Sequence, residues 1–167
     1  MDPGVLRYED LHVGLGFESP TRTITETDVV MFAAMTGDYS ELHTSEAFAR
    51  QTRYGRRVAH GLLGLAITHG LMWPRTNALR DIAIAFLGIS DWRFRGPIFF
   101  GDTVHVVYRI AEMRDSRTYP TQAIVTFEVE LRNEEGEVLQ QGRKVLLVSK
   151  VPLAAATSHG ASEKALT

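Results

Sequence analysis

"VAHGLLGLAITHGLMW", residues 58–73, is apolar on nearly every side of a helix. A helix on a wet surface carries a polar stripe, so a helix running from His60 or Gly61 to about Trp73 must be surrounded by protein. The stretch is shorter than the roughly 20 residues that cross a bilayer, and it holds two histidines, so it reads as a buried core helix rather than a membrane span. Gly61 and Gly64 in its first turn allow two readings. They pack the helix tightly against a sheet, or they open its backbone to a ligand, with the Gly61 N–H and the positive end of the helix polarising a carbonyl oxygen.

The wrapping comes from the rest of the chain. Runs of β type, separated by turn signals, cover 82–89, 91–94, 103–113, 121–132 and 138–149. "FEVELRN" (127–133) alternates apolar and polar residues, as a sheet with one buried face requires, "KVLLVS" (144–149) reads as more deeply buried, and "NEEG" (133–136) is a hairpin turn. Before the central helix, a loop over 5–18 leads to a short strand around 17–24. Thr25 then opens a helix with Asp28 three residues on in capping-box position, and Gly37 stops it. A second short helix is expected over 45–51, followed by the basic loop "TRYGRRVAHG" (52–61). The order predicts an α+β fold, a mainly antiparallel sheet curled around one long central helix. One domain over 1–151 is expected, with a disordered tail over 152–167, where small residues show no usable period.

Composition narrows the function. A chain of 167 residues with 44% hydrophobic and 23% charged residues suits one globular domain, and a net charge of -2 gives no electrostatic reason to expect nucleic acid. The absence of cysteine excludes disulfides, thiolate metal sites and cysteine nucleophiles. "MDPGVLRYEDLHVG" (1–14) has the wrong composition for an export signal, so a cytoplasmic setting without membrane attachment is expected.

The chemistry-bearing stretch is "TGDYSELH" (36–43). On a continuous helix Asp38 and His43 would lie roughly 140° apart and never meet. If the chain bends at Gly37 and turns through "YSEL", acid and imidazole converge and hold a water between a base and an acid of different intrinsic pKa. The plainer reading is an Asp closing a turn and a His on the surface. His60 either caps the central helix or lines a pocket, and His69 reads as a core histidine.

"FAAMTGDYSELHTSEAFA" (32–49), "YGRRVAHGLL" (54–63) and "FRGPIFFGDTV" (94–104), in that order, resemble the MaoC-like dehydratases, the hot dog fold group that contains the (R)-specific enoyl-CoA hydratases. The resemblance implies a hot dog domain paired into a homodimer with a continuous sheet. It implies a hydro-lyase that hydrates trans-2-enoyl thioesters or dehydrates 3-hydroxyacyl thioesters on CoA or a carrier protein, with no cofactor and no metal. The family's catalytic pair falls on Asp38 and His43, and its thioester-binding amide on Gly61. Ser40, Arg56, Arg57 and His60 are expected to touch substrate, the arginines through carrier phosphates. Two departures bear on specificity: Ser40-Glu41 replaces the family's Asn-Pro, and His69 stands where a serine is common. A non-catalytic acyl-thioester-binding subunit and a hot dog thioesterase are the alternatives.

Overall fold

The computed structural model describes residues 4–73 and 77–153. Two short strands, β1 (Gly16–Glu18) and β2 (Arg22–Thr23), come first. Where one strand was expected, Pro20 interrupts the ladder, because it has no N–H to give. Ser19 bridges the gap, donating its N–H to Val106 O (2.9 Å) and accepting the Val106 N–H on its hydroxyl (2.8 Å).

Helix α1 (Glu26–Thr36) begins as the sequence requires. Thr25 Oγ1 accepts the Asp28 N–H and the Asp28 carboxylate accepts the Thr25 N–H, satisfying two donors that a helix start leaves open. Burial opposes ionisation of Asp28, but its bonds from Thr25 and Arg22 prevail and hold the carboxyl below its usual value. Gly37 ends α1 at φ 76°, a left-handed conformation that costs glycine little, with its N–H on Ala33 O at 2.8 Å. A turn that was not expected, α2 (Glu41–Thr44), comes next, and the helix expected over 45–51 is the single turn α3 (Glu46–Ala49). Ser45 ends the first and caps the second, its hydroxyl accepting the Phe48 N–H at 3.2 Å.

The central helix α4 (Gly61–Met72) matches the expected span. Four long strands follow: β3 (Ala83–Phe94), β4 (Thr103–Asp115), β5 (Gln122–Asn133) and β6 (Val138–Ser149). The runs 82–89 and 91–94 join into the single strand β3, because Asp91 takes φ 55° and register shifts absorb the kink without ending the pairing with β6. The sheet order is β1-β4-β5-β6-β3, with β2 also on β4, and every pairing is antiparallel.

This is the hot dog arrangement. Leu63, Ile67 and Leu71 of α4 join one core with the inward residues of β4, β5 and β6, among them Val106, Phe127 and Leu146. The sheet covers only one side of α4. Leu62, Ala66 and Gly70, one turn apart, remain exposed, and β3 is a sheet edge with Phe86, Leu87 and Ile89 in the open. After β6, Leu153 donates its N–H to Asp81 O at 2.8 Å, so the start of the expected tail is docked; the rest of it, 154–167, lies outside the described residues.

Candidate active site

Gly37 turns the chain so that 38–40 runs out beside the start of α4. Asp38 is half exposed (52%). Its Oδ1 accepts the Ser40 N–H at 3.2 Å, and the Ser40 carbonyl accepts the His43 N–H at 2.9 Å and the Thr44 hydroxyl at 3.1 Å. The turn is thus closed by Asp38 and the Ser40 backbone, with no proline required, while the Ser40 side chain makes no capping bond.

Turn α2 brings His43 back beneath this loop. Its Nδ1 lies 2.7 Å from Val58 O. A carbonyl oxygen only accepts, so Nδ1 carries the proton and Nε2 keeps a lone pair. The same logic applies to His60, whose Nε2 donates to the backbone oxygen of Asp38 at 2.9 Å and lies 4.0 Å from the Asp38 carboxylate. His60 is 2% exposed, and its Nδ1 has no hydrogen-bond partner among the described residues. Its ring lies against His43 at 3.8 Å between centroids, with Phe32 at 5.0 Å. The buried imidazole therefore joins α1, the Asp38 loop and the first residue of α4, and it fixes the positions of both Asp38 and His43.

Asp38, His43 and His60 offer donor atoms within 4.8 Å of one another. Gaps of this size admit one water bonded to two groups. A metal fits less well. The imidazole planes overlap at an angle of 31°, so their in-plane lone pairs run side by side, and one nitrogen of each ring is already committed to a carbonyl.

Gly61 opens α4, where a helix leaves its first N–H groups unpaired; the first intrahelical bond runs from Gly64 N–H to His60 O. The two glycines have different surroundings. A Cβ on Gly64 would sit 2.3 Å from Gln140 Nε2 and 2.5 Å from Ile98, so Gly64 is a packing glycine. A Cβ on Gly61 would first meet the Phe94 ring, at 3.0 Å, and Gly61 faces a cavity of about 480 Å³ together with His43. Gln140 holds this turn in place, donating Nε2–H to Gly61 O (2.9 Å) and accepting the Trp92 indole N–H on Oε1 (3.2 Å). No sequence signal marked Gln140, Trp92 or Phe94, which reach the site only through the pairing of β3 with β6.

The two predicted arginines part company. Arg57 is a brace: it bonds Glu26 at 2.8 Å and Glu46 at 3.0 Å and lies over Phe100. The Glu26 bond foremost lifts its guanidinium above the ordinary value, against burial and with help from Glu46. Arg56 stacks on Phe99 at 3.8 Å and lines a neighbouring cavity of about 500 Å³. The arginines that line the His43–Gly61 cavity are Arg53 and Arg95, which the sequence reading did not single out. Neither has an ion pair among the described residues, and none of the residues lining this cavity is acidic. His69 lies eight residues beyond Gly61, about 12 Å along the helix, and takes no part in this cluster.

A helix-borne amide and an imidazole at one cavity, with a carboxylate clustered beside that imidazole, on a helix wrapped by a sheet define a hot dog protein with the equipment for acid-base chemistry. The family model described as "MaoC like domain" matches residues 12–131, and the chain belongs to that family. It is 37% identical over 113 residues to a 3-hydroxybutyryl-CoA dehydratase of Methylorubrum extorquens, a match covering 68% of this chain and 69% of that protein. It is 26% identical over 148 residues to an (R)-specific enoyl-CoA hydratase of Rhodospirillum rubrum, covering 88% and 95%. A solved structure described as a monoamine oxidase regulatory protein from Archaeoglobus fulgius superposes with a TM-score of 0.80 at 34% identity, covering 89% of this chain and 97% of that one.

Proposed function

We propose that this protein adds water to trans-2-enoyl thioesters, or removes it from 3-hydroxyacyl thioesters, with the acyl group carried on CoA or a carrier protein. The observation that carries the proposal is that His43 lines one cavity with Gly61 while its ring also belongs to a tight cluster with Asp38 and His60. In this reading the thioester oxygen lies against Gly61 N–H, which places Cα and Cβ beside the water held by Asp38 and His43. One member of the pair takes a proton from that water as its oxygen bonds to Cβ, and the electrons of the double bond pass to the thioester oxygen. The pair then returns a proton to Cα, so that H and OH are added overall and neither group is consumed. The lone pair on His43 Nε2 supports the imidazole as the first acceptor.

Arg53 and Arg95 at the cavity, with Arg56 beside it, suit the phosphates of the carrier, and Arg57 is assigned a structural role instead. The open β3 edge and the bare stripe of α4 support a homodimer that extends the sheet. No helix among the described residues is long and apolar enough to cross a membrane, and a cytoplasmic setting belongs to this proposal. A non-catalytic acyl-thioester-binding role is the second reading, favoured by the exposure of Asp38 and by the description of the Archaeoglobus protein as regulatory. Thioesterase action has less support, since the cavity lining offers no acid to aim a water at the carbonyl.

Loss of enoyl absorbance with a panel of trans-2-enoyl-CoAs tests the proposal. Asp38→Asn and His43→Ala are each expected to lower kcat by about 100-fold or more with the fold intact. Full rates in both variants refute the assignment; ligand binding without turnover in the wild type favours the second reading.

A further inference from the structure

Lys144 lies mid-strand on β6, paired with Ile89 of β3 and Phe127 of β5. It shares a strand face with Leu146 and Val148 and is directed into the core beneath α4. It is 1% exposed, and its Nζ has no hydrogen-bond partner among the described residues. Burial lowers its pKa to about 7, so the amine remains partly charged at neutral pH. Buried cations are normally paired; among the described residues, this one has the Trp92 ring at 6.0 Å from Nζ.

The titratable group that acts on its surroundings is His69 of α4, held below its usual value by burial and then by the Lys144 charge. His69 Nε2 accepts the Trp73 indole N–H at 3.0 Å, so Nδ1 carries the proton; no bond from Nδ1 occurs among the described residues, and Phe86 packs on the ring at 5.1 Å. The seam between α4 and β6 thus holds two donors and aromatic walls, and among the described residues no acid pairs with either donor.

The two donors lie on the same two elements, α4 and β6, that carry Gly61 and Gln140. Gln140, which lines the cavity and holds Gly61, is on the same face of β6 as Lys144, four residues or about 13 Å away. His69 is eight residues, about 12 Å, along α4 from Gly61. Trp92 links the two ends, bonded to Gln140 and lying over Gly142, where a Cβ would meet its ring at 2.5 Å. The donors therefore stand one acyl chain away from the carbonyl position.

We infer that Lys144 and His69 receive a carboxylate at the far end of the acyl chain, so that the preferred substrates are enoyl or 3-hydroxyacyl thioesters of dicarboxylic acids. This rests on the hydro-lyase reading of the Asp38–His43 site. A carboxylate satisfies both donors and supplies the missing counter-charge, whereas an alkyl end leaves the amine unpaired in an apolar seam.

The test compares trans-2-enoyl-CoA thioesters in pairs of equal length, ended by methyl or by carboxylate and graded from short to medium chains, with wild type and Lys144→Met. At the matching length the carboxylate substrate should show a kcat/KM higher by about tenfold or more, the effect of one charge-assisted hydrogen bond. Lys144→Met should abolish that preference by lowering kcat/KM for the carboxylate-ended substrate toward that of its methyl-ended counterpart. If Lys144→Met does not fold, His69→Phe removes the other donor, and the wild-type preference alone decides. Hydration of methyl-ended chains with no preference at any length overturns the inference and leaves the hydro-lyase reading standing. A preference that survives in Lys144→Met also overturns it, as does a variant that loses only its dimeric state, which would assign the counter-charge to a second copy. Silence on every substrate, together with thioester binding, overturns both.

Discussion

Replacing Lys144 with methionine removes a buried amine and keeps a side chain of similar length, and the stability change it produces depends on pH in a calculable way. The folded pKa is about 7, and the unfolded value is about 10.4. Between these values the unfolded chain holds a proton that the folded chain has released, so stability rises with pH. Below about pH 7 both states are charged and the full cost of burial is present; above about pH 10.4 both are neutral and the cost is gone. The cost is about 4 kcal/mol at pH 7 and about 2 kcal/mol at pH 9. His69 is lowered from 6.5, so its own titration lies below this window. Urea unfolding at pH 7 and pH 9, at one fixed protein concentration, reads the effect. Wild type is expected to gain about 2 kcal/mol over that interval relative to Lys144→Met, and the variant to be the more stable by about 2–4 kcal/mol at pH 7. A difference independent of pH, or a variant less stable than wild type, refutes the reasoning.

Other substitutions separate the roles assigned at the site. Gly61→Ala places a methyl against the ring edge of Phe94 and in front of the amide, and should lower kcat/KM by about tenfold or more while the unfolding temperature holds. Gly64→Ala, wedged between Gln140 and Ile98, should instead cost about 1–3 kcal/mol of stability in urea unfolding. His60→Phe keeps a ring against His43 but loses the donor to Asp38 O, so kcat should fall about tenfold with KM little changed, and His60→Gln, which restores a donor, should recover part of the rate. Arg53→Ala and Arg95→Ala should raise KM for an acyl-CoA several-fold, about the effect of one phosphate contact each, while Arg57→Ala should leave KM alone and cost about 1 kcal/mol of stability.

Local signals were legible where one residue's backbone preference or one period sets the outcome. The Thr25–Asp28 box, the stop at Gly37, the turn at Gly136 and the span of β6 all appear where the residues place them. The joining of 82–89 to 91–94 was not legible, because continuous pairing with β6 carries the strand through a positive φ at Asp91. The extra turn at 41–44 was not legible either, because it ends on Ser45, the same residue that caps the turn at 46–49.

The site divides in the same way. Sequence by itself determined that a buried helix lies inside a sheet, that its first turn has a glycine amide free of side chain, and that Asp38 and His43 flank a bend. These follow from periodicity, from the missing Cβ and from a spacing that cannot close on a continuous helix. Only the tertiary structure decided that His60 ties Asp38 to His43, that Gln140 and Trp92 hold Gly61, that Arg53 and Arg95 replace Arg57 at the cavity, and that Lys144 is buried with no hydrogen-bond partner among the described residues. Each of these depends on strands and loops far apart in the chain meeting at a particular register, and a register is set by the packing of all the strands together rather than by any one of them.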